Sequence, residues 1–150
     1  MASGKGNNCA IGFLEMIYQA VQSADFANLI ENSSTSPLTS LYVSLHNANP
    51  GATGNQATSE TAYTNYARVA VARTTGGWTI TSESITNAAA ITFAACGVTG
   101  DTLTYVGVGT NPTAGQAGVL LWFGQLTSPL VVSSGITPSF AIGQLEITEG

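Results

Sequence analysis

Charge is what this chain has least of. Only 7% of its 150 residues are Asp, Glu, Lys or Arg, against roughly a quarter in an ordinary globular chain. The basic side is nearly empty: Lys5, Arg68 and Arg73 stand against eight acids, for a net charge of −5. A nucleic-acid surface needs several phosphate-neutralising cations, so direct nucleic-acid binding is not expected. Cysteine occurs twice, at Cys9 and Cys96, with no metal or redox spacing, and free thiols are expected. No apolar run approaches the roughly 20 residues of a membrane span. Met1 to Asn8 carries no apolar segment beside a cleavage site, so synthesis and assembly in the cytoplasm are expected. Without a secretion signal, the glycosylation triplet Asn32-Ser33-Ser34 is set aside.

Signatures of catalysis are equally scarce. His46 is the one histidine. Ser44 shares its strand face, but i and i+2 lie roughly 6–7 Å apart along a strand. That spacing predicts no direct bond of about 3 Å between nucleophile and base. Gly107-Val108-Gly109-Thr110-Asn111-Pro112 starts like a dinucleotide loop, yet Pro112 stands at the third glycine position and no helix follows, so it reads as a strand end. Glu146 and Glu149 sit near the C-terminus, away from any cleft a glycosidase pair needs. Glu83 and Asp101 fall in predicted turns, where acids serve the backbone. For Trp78, Tyr63 and Tyr66, packing is the expected use ahead of a sugar-binding platform. No catalytic, cofactor-binding or metal-ligating residue is predicted, and the chain is not expected to be an enzyme.

What the chain does hold is 44% hydrophobic residues, with a polar surface left to Ser, Thr, Asn, Gln and backbone. Neutral groups cost less to desolvate than ions, which suits protein–protein packing. The reading centres on Leu41-Tyr42-Val43-Ser44-Leu45-His46, which alternates and then stops at Asn49-Pro50-Gly51. Leu41, Val43 and Leu45 are predicted to face the core, and Tyr42, Ser44 and His46 the other side. Before it, Ile11, Leu14, Ile17, Tyr18 and Val21 fall at helical spacing across 10–22, and Phe26, Leu29 and Ile30 suggest a second short helix ending near Asn32. Residues 1–9 read as a flexible arm, ordered only if a neighbouring molecule holds it. Residues 10–150 read as one mainly-β domain with its helices in 10–32.

After Gly51, a polar loop from Gly54 to about Ala62 carries a single acid, Glu60, and is expected to touch a neighbouring subunit. Strands are predicted at Tyr66–Arg73 with Val69 and Val71 inward, Trp78–Thr81, Ala89–Ala94 and Leu103–Gly109. Val119–Phe123 is expected to be buried on both faces or set at a subunit contact. Leu130–Val132, Phe140–Ile142 and Leu145–Ile147 close the set. Short strands with frequent turns predict an antiparallel β-sandwich or open barrel with an N-terminal helical segment.

From the first strand onward the chain resembles small tailed-phage virion proteins usually labelled tail fibre proteins. The resemblance is carried by Leu41–His46 with Asn49-Pro50-Gly51, Tyr66-Ala67-Arg68-Val69-Ala70-Val71, Ile91-Thr92-Phe93, Val106-Gly107-Val108-Gly109, Leu120-Leu121-Trp122-Phe123-Gly124 and Phe140-Ala141-Ile142-Gly143-Gln144-Leu145, in that order. It implies a virion protein, made in the host cytoplasm and carried on the outer surface of the particle, and supplies no catalytic residues. The chain lacks the repeated segment of a fibre shaft. The expected role is therefore capsid decoration (a cement protein) or the base of a head fibre, binding the major capsid protein and itself, as a trimer. A tail fibre or tail adaptor is the alternative.

Overall fold

The computed structural model describes residues 11, 13–20 and 38–148. The expected arm, Cys9 and the second helix lie outside the described residues. The chain is mainly β, with antiparallel sheets and no closed barrel among the described residues. It divides into two compact units. One holds the described residues of 1–39, 72–90 and 140–150, and the other spans Ser40–Val71 and Ile91–Ser139.

The larger unit is built on a four-stranded sheet. Its strands are β1 (Ser40–His46), β2 (Val69–Ala72), β6 (Asp101–Gly109) and β7 (Leu120–Val132), in the order β2-β1-β6-β7. β1 lies antiparallel to β6, with Val43 opposite Val108 and Leu45 opposite Val106. Leu41, Val43 and Leu45 are buried as expected. Ser44 and His46, predicted to face away, are buried as completely, at 0% exposure. β1 is therefore a central strand covered on both faces, and period-two alternation cannot report the second cover.

The loop after Gly51 meets that face at Thr58, whose carbonyl bonds His46 Nδ1, and also pairs with the strand's edge. Asn47 N–H donates to Ser59 O at 3.0 Å, Thr61 N–H to Leu45 O at 3.0 Å, and His46 bridges Glu60. Segment 59–61 thus runs along the end of β1 where a strand would otherwise pair. This shortens the strand expected over Tyr66–Arg73 to Val69–Ala72. The amide of Leu45 bonds the Tyr66 hydroxyl at 3.0 Å instead of a neighbouring strand, and Asn65 turns with φ 76°. Val71 is buried as predicted, whereas Val69 is half-buried.

In β6 the expected alternation breaks. Leu103, Val106 and Val108 are the buried apolar residues, and a register shift against β7 lies between Leu103 and Tyr105. Such irregularities reset which face a side chain takes. β7 is not buried on both faces, the first of the two placements expected for 119–123; a subunit contact is the other. It runs unbroken from Leu120 through the predicted Leu130–Val132, with Val119 just outside it, and most of it is exposed. A run of apolar residues reads as buried from sequence, but here it lies on the edge of the sheet. β5 (Ile91–Thr92) and β8 (Ser139–Phe140) form a two-stranded sheet.

The smaller unit holds the sheet β3-β4-β9, formed by Trp78–Thr81, Ser84–Asn87 and Glu146–Thr148. β4 has no sequence counterpart in the predicted set. Its one large apolar residue, Ile85, is fully buried, and the turn before it uses Ser82 at φ 55° in place of a glycine or asparagine. Asn87 ties the unit together. Its side chain donates to Ala89 O and Ala141 O and accepts from Leu145 N–H. The N-terminal helical pattern is present at 11, 13 and 14 and widens to a π-helical turn at Glu15–Gln19, closed by Ala20 in the left-handed region. Arg73 spans its carbonyl end, donating to Met16 O and Ile17 O, and to Leu38 O at 2.7 Å. Tyr18 packs edge-on against Trp78 with ring centroids 4.8 Å apart.

Candidate functional site

Ser44 and His46 do meet. His46 Nε2 lies 2.9 Å from Ser44 Oγ, and Nδ1 lies 2.9 Å from the Thr58 carbonyl. The carbonyl can only accept, so Nδ1 carries the proton, and neutral His46 accepts from Ser44. The expectation that the i, i+2 spacing forbids this bond fails because it applies to Cα positions. Two side chains on one face can lean toward each other along the strand. Both side chains are fully buried, and β6 backs them: a Cβ at Gly107 would stand 2.7 Å from His46 Nε2 and 2.9 Å from Ser44 Oγ. Burial holds the His46 pKa below its ordinary value, against the Thr58 bond and the nearby Glu60, with Arg68 adding to the lowering. The arrangement locks a loop to a strand and presents neither group to solvent.

Glu60, read from sequence as the lone acid of a polar loop, is the centre of a second buried network. Its carboxylate takes Arg68 Nε at Oε1 and Arg68 Nη2 at Oε2, each at 2.7 Å. The two side chains are 0% and 3% exposed, Arg68 and Glu60 respectively. Glu60 also accepts from the Tyr66 hydroxyl and from Gly115 N–H, both at 2.8 Å. Desolvation, and next the Glu60 charge, push the Tyr66 phenol well above its usual range. Arg68 gives two further donors to Asn111 O and Gln116 O, each at 2.9 Å. Gln56 adds a third lock: fully buried, it donates to Tyr42 O and accepts from Asn111 N–H. Gly109 and Gly118 leave room for it, since a Cβ on either would come within 2.7 Å of its amide. The loop expected to reach a neighbouring subunit is thus fastened into its own sheet and to the 110–118 loop.

Trp78 and Tyr63 are core residues, at 0% and 2% exposure, which is the packing use expected of them. Tyr66 is half-buried and stacks near Phe93, with centroids 6.3 Å apart. Asp101 opens β6 instead of lying in a turn, and accepts from Thr61 Oγ1 and Asn47 Nδ2. Among the described residues no three His, Cys, Asp or Glu side chains gather as metal ligands would, and no helix is long and apolar enough to cross a membrane.

The Ser44–His46, Glu60–Arg68 and Gln56 networks are buried, which leaves the outer surface as the place where the larger unit can meet other molecules. Val119 (63% exposed), Leu121, Leu130 and Val131 (67%) lie on or beside β7, and Val98 and Ile136 are exposed in the same unit. Residues 102–145 contain no Asp, Glu, Lys, Arg or His. The surface is extended, apolar and uncharged, and chemically it can bind by backbone pairing and apolar burial.

Compared with known families, residues 19–148 match the family model described as Podophage GP4 fiber I protein gp80. No curated protein matches the chain.

Proposed function

Because the chain belongs to the Podophage GP4 fiber I protein gp80 family, and so is a phage fibre structural protein and a virion component, we propose that it works by packing against other virion proteins and catalyses no reaction. The leading reading is a capsid decoration or cement protein, or the base of a head fibre. In that role it lies on the outer surface of the particle and binds the major capsid protein and further copies of itself. The observation that carries this reading is the uncharged, exposed β7 surface, joined to a chain in which only 7% of residues are charged. Such a surface desolvates cheaply, and shallow contacts become strong when repeated over many copies. The family's description as a fibre protein favours a second reading, a tail fibre or tail adaptor engaged in host attachment. Copy number and position separate the two. Hundreds of copies spread over the head in particle images support decoration, and a few dozen or fewer confined to the tail support the second reading.

A further inference from the structure

We infer that the free edge of β7 is a self-pairing surface, on which a second copy of this chain lays its own β7 antiparallel about a two-fold axis. β7 ends the sheet order β2-β1-β6-β7, so β6 is its one strand neighbour among the described residues. An open edge is a row of unpaired backbone donors and acceptors, and proteins usually blunt it with charge, proline or a bulge. Here no charge protects the edge, and the blunting is local. Pro129 removes one donor, and the β6 register shifts where 126–129 pass. On either side, Trp122–Gln125 and Leu130–Val132 keep a regular ladder with β6 and carry no charge, and a second register shift leaves Leu121 as a bulge beside Leu120.

Charge selects the occupant. The chain carries a net −5, so two copies repel each other except where both present neutral surface. Residues 102–145 provide that surface, and a strongly charged partner would find no ion to pair with. An antiparallel strand is also self-complementary, because a two-fold contact matches each donor with an acceptor of the same strand. The area limits the strength. Thirteen residues at about 3.3 Å make an edge about 43 Å long, and a sheet about 10 Å thick then presents roughly 430 Å² at most. That is about half of the roughly 800 Å² per partner of a standard interface. Exposed Val119, Leu121 and Val131 add apolar burial beside the strand, and the pair forms as a reversible, concentration-dependent dimer.

The inference rests on the reading of a self-binding virion protein, and its test is independent of where on the particle the chain sits. Sedimentation equilibrium of the full chain is compared with Leu121→Lys and Val131→Lys, both exposed positions, with thermal melts as the check on folding. The expected result is a monomer–dimer equilibrium in the parent chain, weakened about tenfold or more by either lysine, because a two-fold axis at the middle of Leu120–Val132 sets Leu121 of one copy beside Val131 of the other, and either variant brings a charge against apolar surface. Amide exchange along Leu120–Gln125 should slow as concentration rises in the parent and not in Leu121→Lys. A parent chain that stays monomeric, a trimer, or a dimer unmoved by folded lysine variants overturns the inference. A parent chain that is monomeric alone yet present in many copies on the head overturns the self-pairing and leaves the decoration reading standing.

Discussion

At Gly107 the missing side chain is a structural requirement. Its Cα faces His46 and Ser44 so closely that a Cβ would overlap both. Gly107→Ala is expected to cost about 1–3 kcal/mol, read as a lower urea midpoint with an unchanged slope. The buried His46 makes a pH prediction. Its folded-state pKa lies below the ordinary value of 6.5, so between those two values the unfolded chain binds a proton that the folded chain refuses. Stability from this group is whole above about pH 6.5 and drains as pH falls below it. Melting temperatures from pH 8 to pH 5 should fall more steeply in the parent than in His46→Gln; parallel profiles would show that the imidazole does not couple to folding. On the structural reading, His46→Ala lowers stability and leaves infectivity of correctly assembled particles intact. Assembled but non-infectious particles would contradict that reading. Glu60→Gln strands the buried Arg68 guanidinium and is expected to cost about 3–5 kcal/mol, more than replacing both residues together by methionine; chemical denaturation of the three proteins decides it.

Among the elements, legibility followed the number of neighbours a strand has on each face. Trp78–Thr81 is a strand as expected, because its alternation and the Gly76-Gly77 turn before it are local signals. β4 escaped notice because Ser-Ile-Thr-Asn carries one large apolar residue and its turn rests on a left-handed serine. What makes it a strand is non-local: Asn87 binds Leu145 N–H and the carbonyls of Ala89 and Ala141. Asn87→Ala leaves these groups without their partner inside the unit. The buried one, Leu145 N–H, costs roughly 1–3 kcal/mol when orphaned. Amide exchange should accelerate first in β9 (Glu146–Thr148), ahead of β1; uniform acceleration across the chain would show that Asn87 does not control this sheet separately. The apolar composition of β7 was plain, but its position on the sheet edge was not. Hydrophobicity records what a strand could bury, and the order β2-β1-β6-β7 decides what it does bury.

For the whole molecule, the test with the widest consequence is stoichiometry on purified particles, since position on the head or the tail follows from it. The sequence by itself determined the class: mainly β and antiparallel, with a fibre-protein resemblance carried by the order of short strand pieces. Those properties are local or compositional, written in side-chain period, turn residues and net charge, and they hold however the strands are arranged. Only the tertiary structure decided that both faces of β1 are covered, that Ser44 reaches His46, and that Glu60 clamps Arg68 across two loops. It alone placed the uncharged β7 on an open edge. The physical reason is that these depend on strand order, on which segments come to cover β1 or clasp Arg68, and on how two side chains lean along one strand, none of which a period of two along the chain encodes.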